Sequence, residues 1–226
     1  MAENRGLFKL VLDEFAAAGI LPRLVLIGNW CLALYREYFE KSPEIPLLRT
    51  LDIDFWVPYP PEATGSADIA GILEKHGFDE VYSVLGGFSK FVRPELEIEF
   101  VTPELGKAKS APYRFDDLNI AAQGLRYVWL AQKFDLTIDY QGNPVRVPEP
   151  AAFVLLKLLA STKRREPAKR DRDVSIAIQI AEFILSFPEQ REKLRSIFGQ
   201  IPRSWQQKVL KIAFRESKPL YEELAH

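Results

Sequence analysis

The hydrophobic positions of the chain change period several times, and each change marks an element. Leu7, Leu10, Val11, Phe15 and Ala18 recur at helical spacing and stop at Gly19, a residue suited to the left-handed position after a helix. Leu24-Val25-Leu26-Ile27 then reads as a short buried strand, and Gly28-Asn29 as a tight turn into a second helix beginning near Trp30. Leu51 to Val57 alternates polar and apolar residues as a strand does. It is closed by Pro58, Pro60 and Pro61, none of which can continue a central ladder. Ser66 is placed to cap a helix carrying Ile69, Ile72 and Leu73 and ending at His76-Gly77. Phe78 to Val84 resumes an extended pattern, Gly86-Gly87 predicts a hairpin, and Phe91-Val92 and Leu96 to Val101 supply the remaining strands of this half.

Phe134 to Val147 predicts a second hairpin with Gln141-Gly142-Asn143 at its tip. From Pro150 onward the spacing is helical almost throughout, through Phe153, Leu156, Lys157 and Ala160, then Ile176, Ile180, Phe183 and Ile184, then Leu194, Ile197 and Phe198, then Trp205, Val209, Ile212 and Ala213. Pro188, Gly199 and Pro202 punctuate these helices at short intervals. The expected architecture is therefore α+β, a mixed α/β sheet over residues 1–148 with a helical module over residues 149–226 packed on it.

Composition narrows the class. With 47% hydrophobic residues the chain can fill a core, which excludes disorder. Thirty Lys and Arg against 31 Asp and Glu leave a formal charge of -1, so any site for a polyanion has to be local. The single cysteine, Cys31, excludes an internal disulfide and a Cys/His zinc site, and fits a reducing, cytoplasmic setting. The N-terminus lacks the layout of a signal peptide, and the apolar runs are too short to span a bilayer. Cys31 itself lies among apolar residues and reads as core rather than nucleophile.

Candidate chemistry concentrates in two acidic strands. In Leu51-Asp52-Ile53-Asp54-Phe55-Trp56-Val57, Asp52 and Asp54 share one face while Ile53, Phe55 and Val57 share the other. Two like charges so close repel unless a cation lies between them, and hard divalent cations are held by one or two carboxylates together with substrate phosphates. Leu96-Glu97-Ile98-Glu99-Phe100-Val101 offers a third acid if it lies beside the first strand, and Glu99 is favoured because it precedes Phe-Val as Asp54 precedes Phe-Trp. Each strand alone is also what a solvated sheet edge looks like; the two together argue for a site. The strand-to-helix turn at Gly28-Asn29 would offer free backbone N–H groups to a phosphate. The run Lys163-Arg164-Arg165-Glu166-Pro167-Ala168-Lys169-Arg170-Asp171-Arg172 is the concentrated basic segment. Acids interleave it and no aromatic residues accompany it, so it reads as a solvated loop rather than an RNA track.

The segments around Leu26 to Tyr35, Ile45 to Phe55, Leu96 to Pro103 and Val147 to Phe153 resemble a bacterial family with the nucleotidyltransferase fold, within the polymerase β-like superfamily. That family is related to the nucleotidyltransferase toxins of abortive-infection and toxin-antitoxin systems. The resemblance runs from about Leu24 to Ala181, and Arg49-Thr50-Leu51-Asp52-Ile53-Asp54-Phe55 is its most specific block. It implies Mg2+ or Mn2+ held by Asp52, Asp54 and Glu99, an NTP as substrate, and transfer of NMP to an acceptor such as RNA or tRNA, with a cognate antitoxin as a conceivable partner. Gly28, Asn29, Arg49, Thr50, Lys157 and Asp173 are implied as nucleotide-binding. Lys157 also reads as a lysine snorkelling from a partly buried helix, and Asp173 as a cap or first-turn acid. Asn29 stands where relatives often have Ser or Gly, and Glu99 where many have Asp. Both departures leave open a non-catalytic nucleotide- or metal-binding protein of the same fold.

Overall fold

A computed structural model describes residues 2–46, 50–60, 65–82, 87–104 and 112–225. Helix α1 (Ala2–Ala17) ends at Gly19, whose φ of 69° is the left-handed conformation expected there. Strand β1 (Val25–Ile27) follows, then a single 3-10 turn over Gly28–Trp30 and helix α2 (Cys31–Tyr38). Strand β2 (Asp52–Trp56) leads to α3 (Ile69–Lys75) and to the antiparallel pair β3 (Asp79–Tyr82) and β4 (Ser89–Val92). The tip expected at Gly86-Gly87 lies partly outside the described residues. Strand β5 (Glu97–Pro103) comes next, then β6 (Tyr113–Phe115) and β7 (Ile120–Leu125).

Among the described residues these strands form one mixed seven-stranded sheet in the order β1-β2-β5-β4-β3. Strand β2 runs parallel to β5, and β7 pairs with the far end of β5, where Val101 lies opposite Gln123. The core face of the central pair is aromatic: Phe55 stacks on Phe100 across the register, and Phe15 of α1 and Phe91 of β4 pack against them. Alternation then forces Asp52, Asp54, Glu97 and Glu99 onto the opposite face.

Helix α4 (Trp129–Lys133) precedes the hairpin of β8 (Asp135–Tyr140) and β9 (Asn143–Pro148), which turns at Gln141-Gly142. Asn143 Nδ2 donates to Asp13 of α1 at 2.7 Å, and Arg146 donates to the carbonyl of Pro22 at 2.9 Å, so the hairpin is tied back to the first helix. Helix α5 (Pro150–Ser161) starts on a proline, whose missing N–H costs nothing at that position, and is apolar nearly all round. Such a helix has to be central. It packs against α4, α6 (Pro167–Ile184), α7 (Pro188–Gln200), α8 (Arg203–Glu216) and β9. The short α9 (Lys218–Ala225) closes the bundle against α6, α7 and α8. Tyr35 Oη of α2 donates to the carbonyl of Pro148 at 2.7 Å and meets Phe153 edge to face, which fixes α5 against the sheet side. The buried apolar residues form one contiguous core from Phe8 to Leu224.

Two local expectations change. The cap of α3 is Asp68, whose Oδ1 accepts the N–H of Gly71 at 3.0 Å; Ser66 lies two residues too early to reach the first turn. Asp173 is neither a cap nor a first-turn acid, because α6 begins at Pro167 and Asp173 sits in its second turn. No described helix is long and apolar enough to cross a membrane.

Candidate active site

The parallel register of β2 and β5 places Asp52 opposite Glu97 and Asp54 opposite Glu99. Strand β4 adds Lys90 opposite Glu99 on the other side. The Lys90 ammonium pairs with Glu97 and lies 3.0 Å from Glu99 Oε1, so one cation already sits within this acidic face. Burial lowers the pKa of Lys90, but its bonds to Glu97 and Glu99 outweigh that and hold it charged.

Asp54 points at the turn after β1. Gly28 has a φ of 73°, and a Cβ there would collide with Asp54 Oδ2. Only glycine satisfies both the backbone conformation and the close approach. Burial, followed by the charge of Glu99, pushes the Asp54 carboxyl from 3.8 up to about 7, with Lys157 opposing. Asp52 is raised in the same direction by burial and Glu97.

Lys157 is the polar interruption in the middle of α5, and it does not snorkel. Its side chain is 11% exposed, and its ammonium donates to Asn29 Oδ1 at 2.9 Å and to Asp173 Oδ1 at 2.8 Å. Arg164 Nε donates to the other oxygen of Asp173 at 2.8 Å. Burial raises the Asp173 pKa, but Lys157 and Arg164 outweigh it and hold the carboxyl below its ordinary value. Asn29, Lys157, Asp173 and Arg164 thus form one chain of charge-assisted bonds joining the 3-10 turn, α5 and α6.

A cleft of about 490 Å3 opens between these groups, lined by Gly28, Asp54, Glu99, Lys157 and Asp173, with Arg126, Lys163 and Arg164 among its other walls. Asp52 and Thr50 are not among its described lining residues. The Thr50 hydroxyl instead accepts the Asp52 N–H at 3.3 Å and steadies the start of β2. Arg49 lies outside the described residues. No three His, Cys, Asp or Glu side chains among the described residues converge to hold a metal ion as placed. The Glu99 carboxylate is engaged by Lys90. Cys31 is buried, donates to the carbonyl of Leu26 at 3.3 Å, and has a thiol pushed well up by burial, in keeping with a core role.

Sequence reasoning missed Lys90, Arg126 and Tyr127. Lys90 sits in Ser89-Lys90-Phe91, an ordinary alternating strand, and only the register across three strands shows what it faces. The basic run divides: Lys163 and Arg164 face the cleft, while Lys169 pairs with Glu166 and Arg170 with Asp171 on the exposed surface.

An acid pair on adjacent parallel strands, a glycine turn pressed against one of them and a buried lysine thus line one cleft. The chain belongs to the nucleotidyltransferase family, since the family model described as "Nucleotidyltransferase" matches residues 8–194, and the family places it among transferases. Among solved structures, an antigenic nucleotidyltransferase-like protein from Paracoccidioides brasiliensis is similar over 99% of this chain and 93% of its own, with a TM-score of 0.59 and 16% identity. That likeness shows the fold. ANT(2'')-Ia, solved in complex with adenylyl-2''-tobramycin, aligns over 96% of this chain and 100% of its own at 12% identity, with a TM-score of 0.45. No curated protein matches the chain.

Proposed function

We propose that the chain moves a nucleoside monophosphate from an NTP to an acceptor hydroxyl with the aid of Mg2+ or Mn2+ at Asp52, Asp54 and Glu99. The observation that carries this reading is the register of Asp54 with Glu99, with Asp54 against a glycine turn where any Cβ would strike its carboxylate. The donor set fits a hard cation: it offers carboxylate oxygens alone, and it already accommodates one positive charge in the Lys90 ammonium. A divalent cation bound there would neutralise charge developing on the α-phosphate and on departing pyrophosphate.

The protein groups do the positioning. Asp54, raised to about 7, gives up its proton when a cation arrives. Asp54 lies against the turn that starts at Gly28, so a cation held by Asp54 would draw the phosphates of a nucleotide to that turn. An ammonium has three donors, and the described residues take two from Lys157, so the third is available to a phosphate in the cleft. In this reading Asp173 orients Lys157 rather than touching nucleotide, Asn29 does the same from the turn, and Thr50 supports the metal strand. Residues 149–226 act as the module that supplies Lys157 and Arg164 from above the sheet.

RNA, tRNA included, is the acceptor class we favour, supported by the cations Arg126, Lys163 and Arg164 on the cleft walls. A toxin-like role, a cognate antitoxin and a cytoplasmic setting rest on the sequence reading alone. A second reading, a non-catalytic nucleotide or metal binder, is favoured by one observation, the prior engagement of Glu99 by Lys90. Incubation with each NTP, Mg2+ and total RNA separates the two. Pyrophosphate release with label appearing in RNA is expected; nucleotide binding without release would establish the second reading instead.

A further inference from the structure

A second cavity of about 360 Å3 adjoins the cleft and shares Glu104, Leu125, Arg126, Tyr127 and Val128 with it. It begins where β5, the strand of Glu99, ends at Pro103 and passes into Glu104. Its wall is aromatic. Tyr127 meets Trp205 edge to face with centroids 4.5 Å apart, and Trp205 lies tilted against Trp129 at 5.6 Å. Both tryptophans are half-buried, so part of each ring remains accessible.

The charges beside these rings are positive. Lys208 Nζ donates to Tyr127 Oη at 3.1 Å and sits 5.6 Å from the centre of the same ring. Arg126 stands on the shared rim, and Glu104, the acid of the cavity, is already paired with it at 2.5 Å. A polycationic acceptor would find no uncommitted carboxylate among the described lining residues. Tyr127, common to both cavities, has a φ of 71°, a conformation a tyrosine rarely adopts and one that recurs at functional sites.

We propose that this cavity is the acceptor subsite, that it takes a nucleobase against Trp205 and Trp129, and that Lys208 and Arg126 receive the attached phosphate. Rings supply a stacking surface that any base can use, and the cations supply attraction to its backbone. The proposal rests on the transfer reading above, which it supplies with an acceptor. A free nucleotide and the end of an RNA strand present the same chemistry here.

The test is a fluorescence titration without NTP or divalent cation, using a mononucleotide in one arm and a short single-stranded oligoribonucleotide in the other. Of the four tryptophans, Trp30 and Trp56 are buried, so quenching on base stacking reports Trp129 and Trp205. Trp205→Leu should weaken binding roughly tenfold while keeping apolar bulk against Tyr127, and Trp205→Phe should restore most of it. Lys208→Gln should flatten the salt dependence of oligonucleotide binding. Trp205-dependent binding in both arms supports the subsite with free nucleotide as sufficient ligand; the same dependence for the oligonucleotide alone supports it with an RNA end as ligand. Binding that ignores Trp205→Leu, no quenching by either ligand, or Trp205-dependent binding of a polycationic amino sugar in their place would overturn it. A protein that binds here yet releases no pyrophosphate would sink the transfer reading and the acceptor role with it, while supporting the nucleobase site. An active protein without Trp205-dependent binding would do the reverse.

Discussion

Replacing Asp54 with Asn should stabilise the cation-free protein, and the gain should depend on pH in a defined way. The carboxyl moves from 3.8 to about 7 because burial and Glu99 disfavour its charge. A raised carboxyl means that the folded state binds the proton more tightly than the unfolded chain, so folding stability falls as pH rises from about 4 to about 7 and levels off above. Each pH unit in that window corresponds to ~1.4 kcal/mol, which sets a ceiling of ~4 kcal/mol at pH 8. Asp54 keeps partial contact with solvent, and screening brings the expected value nearer ~2 kcal/mol. Asp54→Asn removes the ionisation and keeps the shape. Urea unfolding of the wild type and variant at pH 5 and pH 8 should therefore show the variant's advantage growing by ~1 to 3 kcal/mol between the two. Added Mg2+ and NTP should close or reverse the gap at pH 8, because only the wild-type carboxylate attracts a cation. An advantage independent of pH, or a wild type that gains on the variant between pH 5 and pH 8 without cation, would refute the assignment of a buried, charge-crowded Asp54.

Lys157→Met should cost stability as well as nucleotide affinity, on the order of 2–4 kcal/mol by denaturation, because it strands a buried Asp173 with Arg164 as its remaining ionic partner. Adding Asp173→Leu should recover much of that stability without recovering NTP binding, measured by calorimetry; recovery of both would make Lys157 purely structural. The Asp173 pair itself should be lost only as pH falls below the ordinary carboxyl value of 3.8, the opposite window to Asp54. Gly28→Ala should destabilise by ~1–3 kcal/mol and abolish stabilisation by Mg-NTP in a thermal melt, since a Cβ at a φ of 73° meets Asp54. Lys90→Met should free Glu97 and Glu99 and tighten Mn2+ binding several-fold by titration; weaker binding would show that Lys90 helps rather than competes.

The acids and their shared face were legible from the alternation in Asp52-Ile53-Asp54-Phe55 and Glu97-Ile98-Glu99-Phe100; the pairing of the two strands stood only as a condition, because alternation excludes odd shifts and leaves even ones, and the structure sets the register with Phe55 against Phe100. The helical second half was legible for the same reason, its period being carried by side chains that are buried. Strands β6 and β7 and helix α4 were not. Ile120-Ala121-Ala122-Gln123-Gly124-Leu125 has little strand propensity of its own and is held extended by pairing with β5 and β6, and α4 is too short to show a period. Lys157 carried a phosphate role or a solvent-reaching one in the sequence; its partners Asn29 and Asp173, 128 and 16 residues away, are brought to it only by tertiary packing. The aromatic wall beyond Tyr127 was illegible for the same reason, since Trp205 lies on α8 and its partners precede β8.

The central claim is that Asp54 and Glu99 hold a cation against a bound nucleotide for transfer, and pyrophosphate release measures it most directly. Wild type, Asp54→Asn and Glu99→Gln would be incubated with Mg2+, each NTP and total RNA at pH 8, with EDTA as the control. Release should require the cation, fall at least a hundredfold in Asp54→Asn and drop strongly in Glu99→Gln, in line with the loss of a charge-stabilising group at a reacting phosphate. Cation-dependent release that persists at the wild-type rate in Asp54→Asn would contradict it.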